Sequence, residues 1–254
     1  MKSPIKENIN NFCCLRALKE MIPPGSVVNS FLFFSGDLEF SLVEGGRFMV
    51  SHTNKFIIYD FWKCMLNDPH KIADIAVDLQ PHLKDENLFY EVQESWPTYR
   101  DSFIRSAFFF LLNRCSESGL VSCGKLDNKK FNPFSISYIK KFKIDNFHII
   151  LDEQKEFIDS FKDIKNTDYL LFPIGKFSYN LFEYGKNKGY EMTTIHHKRF
   201  REELSHIKDK WIVIYKHHPQ VHKLYKNYNI TMLDKYGRET KDKEKCEEMV
   251  IANF

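Results

Sequence analysis

Apolar positions along the chain change period several times, and each change predicts a change of element. Leu15, Leu18 and Met21 recur at helical spacing, and Pro23-Pro24-Gly25 ends that helix. Residues 26–34 (SVVNSFLFF) are β-branched and aromatic and read as a buried strand, broken by Ser35-Gly36-Asp37. Apolar residues resume at Leu38, Phe40, Leu42 and Val43 as a helix. A strand, a glycine turn and a helix in that order open a nucleotide-binding α/β unit. Residues 48–50 and 56–59 read as two further short strands, the second ending in Asp60.

The pattern then turns helical. Ile72, Ile75, Val77 and Leu79 predict one helix and residues 99–113 another, followed by a turn region at 119–124. Strand-like runs return at 147–151 (FHIIL), 168–173 (DYLLFP), 211–215 (WIVIY) and 249–254 (MVIANF). Helices are expected between them: an acidic one at 153–161, one at 200–207, and one through Val221, Leu224 and Tyr225. Alternating strands and helices imply an open α/β sheet. The expected layout is an α/β domain from residues 1–67 and 144–254, with a helical insertion at 68–143.

Composition narrows the classes. The 254 residues are 43% apolar and 28% charged, enough for a core and against disorder. Lys and Arg total 37 against 34 Asp and Glu, so the chain is not strongly basic overall. Its positive charge is concentrated instead: between Lys125 and Lys143 there are six lysines and one aspartate. The six cysteines include no Cys-x-x-Cys pair and the chain opens on a polar stretch, so a reducing, cytoplasmic location is expected. No apolar run approaches the roughly 20 residues of a membrane span. Heavy use of Lys, Asn, Ile and Phe fits an AT-rich genome such as a viral one.

Four segments in order carry a resemblance. Arg105-Ser106-Ala107-Phe108-Phe109-Phe110-Leu111-Leu112-Asn113-Arg114 is followed by Gly119-Leu120 and later by Phe131-Asn132. A Phe-rich strand leads to Phe34-Ser35-Gly36. Ile57-Ile58-Tyr59-Asp60 ends in an acid, and Glu247-Glu248-Met249-Val250-Ile251-Ala252-Asn253-Phe254 closes the chain. Together these resemble the Dam-type (class D12) DNA adenine methyltransferases. That family has F-x-x-L-N-R-x-x-x-x-G-L in its target-recognition insertion, F-x-G-x-G after its first strand, a ribose-binding Asp after its second, and E-E-x-(I/V)-I-x-N-Y near its end. The resemblance implies a Rossmann-like sheet for S-adenosylmethionine-dependent methyl transfer. Phe34, Gly36 and Asp60 become the vestigial cofactor-binding candidates. Asn113, Arg114, Lys129, Lys130, Lys140, Lys141 and Lys143 become the candidates for contacting double-stranded DNA, chiefly its phosphates.

The same resemblance marks what is missing. The family's D-P-P-Y, whose Asp accepts a hydrogen bond from the flipped adenine's amine and whose Tyr stacks on its ring, falls here on Phe172-Pro173-Ile174-Gly175. The second glycine of F-x-G-x-G falls on Leu38, and the family's W-x-G-G-K falls near residues 11–16, which hold no glycine. No catalytic residue is therefore expected intact, and no cofactor, unless some S-adenosylmethionine binding survives. The expected function is a catalytically impaired homologue acting as a DNA-binding or protein-binding module, or as a component of a larger assembly. The alternative is an active DNA adenine methyltransferase with diverged motifs. Smaller features have ordinary readings: His196-His197 and His217-His218 with His222 lack a complete ligand set, so no metal is expected. Cys13-Cys14 reads as buried thiols, and Trp62 as either an adenine-stacking or a core residue.

Overall fold

The computed structural model describes residues 2–6, 12–117, 119, 121–122, 124–127, 133–152, 158–162, 164–177 and 195–254. Its strands are β1 (Val27–Ser30), β2 (Phe48–Thr53), β3 (Phe147–Leu151), β4 (Tyr169–Gly175), β5 (Lys210–Lys216), β6 (Asn229–Leu233) and β7 (Glu248–Ala252). They form one seven-stranded sheet in the order β3-β2-β1-β4-β5-β7-β6. Only β7 runs against its neighbours. This is an open, mostly parallel, Rossmann-like α/β sheet, as the α/β reading expects. Chain order reverses between β1 and β4, the kind of place where open α/β sheets receive their ligands.

The helices are α1 (Leu15–Met21), α2 (Asp37–Glu44), α3 (Phe56–Asn67), α4 (Pro69–Leu79), α5 (Glu86–Ser95), α6 (Ser102–Cys115), α7 (Pro133–Lys140), α8 (His197–Leu204) and α9 (Pro219–Leu224). Their starts follow local chemistry. Asp68, Asp85 and Asp101 each accept backbone N–H groups of the first turn of α4, α5 and α6. Strand residues divide the core into two layers. Val28, Met49, Phe147, Leu171, Ile212 and Val250 face α1–α7, while Phe31, Phe172, Val213, Tyr215 and Ile251 face α8 and α9. Helices α4–α7 share one continuous apolar cluster with α2 and α3.

Several expectations change. The strand expected at 26–34 stops at Ser30, and the left-handed backbone at Leu32 (φ 61°) interrupts the extended conformation beyond it. Residues 56–59 are not a strand but the first turn of α3. Its buried residues are Ile58, Phe61, Trp62, Cys64 and Met65, and the spacing of Ile58, Phe61, Trp62 and Met65 is helical, which a four-residue window reads equally as a strand. The second strand is β2, and it runs on to Thr53. The expected acidic helix at 153–161 falls partly outside the described residues, and 158–162 are turns. Strand β6 and helix α5 had no predicted counterpart. Strand β6 is half-exposed and β-branched only at Ile230 and Thr231, and α5 carries few apolar residues.

Two polar groups tie distant segments to this frame. The Asn113 amide, at the end of α6, accepts from Lys6 N–H (2.7 Å) and donates to the carbonyls of Lys6 (2.9 Å) and Gly119 (2.8 Å). On α2, the fully buried Glu39 accepts from Ser30 Oγ of β1 at 2.7 Å. Burial raises the Glu39 carboxyl above its ordinary value of 4.5. Between those two values the native chain holds a proton that the unfolded chain has released, so stability falls as pH rises through that interval. Glu39→Gln keeps an acceptor for Ser30 and removes the charge. Urea titration is expected to show a more stable variant at neutral pH with a flatter acid-to-neutral slope. Asn113→Ala leaves three backbone groups without their partner. It is expected to cost about 2 kcal/mol in the same titration and to make the segment around Lys6 more sensitive to limited proteolysis.

Candidate functional site

The candidate site is the carboxyl ends of β1–β5 and the described residues that follow them. After β1, Phe31 N–H donates to Leu171 O (2.9 Å) and Phe33 N–H to His52 O (3.0 Å), so the chain stays bonded to its neighbours past the strand end. The Trp62 indole donates to Phe34 O at 2.7 Å. Gly36 caps α2 with φ 80°, and a Cβ added there would lie 2.4 Å from the Phe40 ring. Gly36 is thus accounted for by its backbone conformation and by Phe40, rather than by room left for a ligand. The Phe34 ring packs edge-on against Phe109. Leu38, where the family has a second glycine, is buried in the apolar layer. Trp62 is fully buried among Phe33, Phe40, Phe61 and Phe142, so the core reading holds and the adenine-stacking one does not.

The chain at the end of β2 reads His52-Thr53-Asn54-Lys55 and contains no carboxylate. Asp60, expected there, lies on α3 and accepts from Arg105 Nε of α6 at 2.8 Å. Arg105 also donates to Tyr99 O and to Ser102 Oγ. Asp60 therefore ties α3 to α6 and does not end a second strand. At the strand ends His52 links three elements: its Nε2 lies 2.9 Å from Asn29 Oδ1 of β1, and its Nδ1 3.2 Å from Asp152 Oδ2 just after β3. All three residues are buried. Asn29, His52 and Asp152 are separated by 23 and 100 residues, so no local motif marks them.

The His52 ring continues into an aromatic column. Phe31 stacks on it (4.7 Å between centroids, 18° between planes) and on Phe172 of β4 (4.9 Å, 13°). Phe161 and Phe200 close on Phe172 edge-first at 5.0 and 5.2 Å. Each such pair adds about 0.5–1.5 kcal/mol beyond area burial. Phe172, Pro173, Ile174 and Gly175 all lie within β4 and are buried. Gly175 has φ 76° beside an irregularity in the β4–β5 pairing, a conformation that a tyrosine side chain would strain.

Just beyond β4, Phe177 is held between two imidazoles, His197 at 4.2 Å (17°) and His218 at 4.6 Å (12°). His197 Nε2 donates to Phe177 O, which leaves Nδ1 to accept from Tyr215 OH at 2.8 Å. Burial lowers the His197 pKa and raises that of Tyr215, consistent with two neutral partners. His217 and His222 meet edge to face at 5.7 Å. Among the described residues no three His, Cys, Asp or Glu side chains converge as metal ligands.

The closing motif has a structural account. Glu248 is fully buried; its Oε2 accepts from Cys13 N–H (2.9 Å) and its Oε1 from Lys216 Nζ (2.8 Å). Burial, followed by the Glu248 charge, pushes the Cys13 thiol up to about 12. Cys14 is shifted upward for the same reasons, and all the described cysteines are free thiols. Asn253 accepts from Trp211 N–H (2.8 Å) and donates to Asp209 O (2.9 Å), which fixes the start of β5.

The residues expected to touch DNA separate. Asn113 is fully buried and its amide is committed to Lys6 and Gly119, so the DNA reading of Asn113 is withdrawn. Arg114 is half-buried, and its Nε donates to Pro4 O at 2.7 Å. Lys140 pairs with Asp74 at 2.7 Å. Lys141 and Lys143 are exposed. Lys129 and Lys130 lie outside the described residues. Among the described residues no helix is long and apolar enough to cross a membrane.

No protein-family model matches the chain, and no curated protein is detectably similar to it in sequence. Among solved structures, it is similar to a TehB-like S-adenosylmethionine-dependent methyltransferase from Corynebacterium glutamicum. The two share 6% identity over 95% of this chain and 86% of that one, with a TM-score of 0.42. That likeness is too distant to bear on activity, and the fold rests on the strand order and directions described above.

Proposed function

We propose that this chain is a methyltransferase-fold protein, of Dam-type descent, that no longer transfers methyl groups and serves as a DNA-binding module. Its helical region 68–143 is the part that meets the nucleic acid. The observation that carries the reading is the setting of Phe172. Where the resemblance calls for a carboxylate, a phenyl ring is stacked on Phe31 and enclosed by Phe161 and Phe200. A ring in that position accepts no hydrogen bond from an adenine amine. The residues at the strand ends do not fit S-adenosylmethionine either. The end of β2 has no acid for a ribose, Asp60 is bound to Arg105, and the space beside Gly36 is filled by Phe40.

Support for DNA is electrostatic. Exposed Lys125, Lys141 and Lys143 belong to the segment that carries six lysines against one aspartate. Contacts of that kind follow phosphate charge and carry little sequence information.

Calorimetry with S-adenosylmethionine is expected to give no saturable heat, and the cofactor is expected not to raise the melting temperature. A saturable isotherm, or N6-methyladenine detected by mass spectrometry in DNA incubated with protein and cofactor, overturns the reading. Phe172→Asp places a charge among rings. It is expected to cost about 3–5 kcal/mol of stability in urea without creating cofactor binding. A labelled duplex is expected to bind with an affinity that falls steeply with salt. Lys141→Glu with Lys143→Glu is expected to reduce the magnitude of the log–log salt slope by about one for each phosphate that the variant no longer neutralises.

A further inference from the structure

Helix α7 has an inner and an outer side. Ser135, Ile136 and Ile139 are buried, and Phe142, just beyond the helix, packs on Phe40 and Trp62. The outer side presents Phe134, 75% exposed, and Tyr138, 49% exposed. The two are four residues apart, so their rings lie on one side of the helix, about 6 Å apart along its axis. Lys141 follows on the same side, because its N–H donates to Ser137 O (3.0 Å) and prolongs the turn. Lys143 is also exposed. In the sequence, Lys129 and Lys130 precede Phe134 by five and four residues. Lys140 is turned to the other flank, where it pairs with Asp74.

We propose that this outer side of α7 binds single-stranded nucleic acid, with bases stacked on Phe134 and Tyr138 and phosphates held by Lys141 and Lys143. The inference rests on the DNA-binding reading above and deepens it by naming the form of the polymer. The argument is complementarity of two kinds. The lysines suit a polyanion, and a duplex supplies phosphates as well as a single strand does. The rings distinguish the two. In a duplex the base faces are covered by their neighbours, whereas a single strand offers them to an aromatic side chain. Two exposed rings on one helix side, followed directly by exposed lysines, suit the bases and phosphates of one strand. A protein partner would gain from the rings but has no matching need for the lysines.

The test is fluorescence anisotropy with a labelled oligothymidylate of about 15 nucleotides and a duplex of the same length, each across a salt series. The single strand is expected to bind more tightly. Phe134→Ala and Tyr138→Ala are each expected to weaken it by roughly tenfold or more while leaving the duplex and the salt slope unchanged. Phe134→Trp and Tyr138→Phe keep a stacking face and are expected to retain binding. The indole introduced by the first should be quenched when the strand is added. Both positions are exposed, so the variants are expected to melt with the wild type. Four results overturn the inference: equal affinity for strand and duplex, a double alanine variant that binds the strand like wild type, an indole that the strand leaves unquenched, or rings that alter sedimentation but not oligonucleotide binding. Single-strand binding that depends on the lysines but not on the rings overturns this inference alone. Absence of binding to either polymer overturns the DNA-binding reading as well.

Discussion

The stack of His52, Phe31 and Phe172 sets what the carboxyl ends of the central strands can do. It runs from β2, past the end of β1, to β4, and so crosses the switch in chain order between β1 and β4. Such a place receives a ligand only if polar groups and open backbone face it. Here planar rings lie about 5 Å apart with further rings closing their edges. Rings so enclosed bury apolar area and contribute their pairwise terms to stability. The same atoms cannot also serve as acceptors for a substrate amine.

The acidic side chains follow the same logic. Asp60 is bound to Arg105, Asp152 to His52, Glu39 to Ser30, and Glu248 to Cys13 and Lys216. Each joins two different elements, so removing one partner would leave a buried or half-buried group unsatisfied. The region between α3 and β3 shares the apolar core of the sheet's first face, yet its outer side carries exposed rings and lysines. A rigid inner side and a charged aromatic outer side are what a binding surface requires, and neither depends on a methyl donor.

Much of the fold was legible in the sequence because apolar period survives without knowledge of contacts. The strand at 147–151 falls on β3 residue for residue, and the runs at 168–173 and 211–215 fall on β4 and β5 within two residues at each end. The α/β alternation, and with it the sheet, follows from such runs. Residues 56–59 were misread because four apolar residues in a row satisfy a strand and a helix alike. Only the following turns, with Phe61, Trp62 and Met65, separate the two.

Side-chain roles were legible only in part. The sequence by itself determined that Phe172 is a phenyl group, and no tertiary contact can change that fact. It also determined the concentration of lysines between Lys125 and Lys143. The tertiary structure alone decided which polar groups are committed. Asn113 sits in a motif that points to DNA, but its amide is turned inward because Lys6, 107 residues away, needs both of its partners. Asp60 ends an apolar run in the sequence and pairs with a guanidinium 45 residues on in space. Hydrogen-bond partnership is set by where the backbone brings two groups together, and a linear pattern carries no information about that distance.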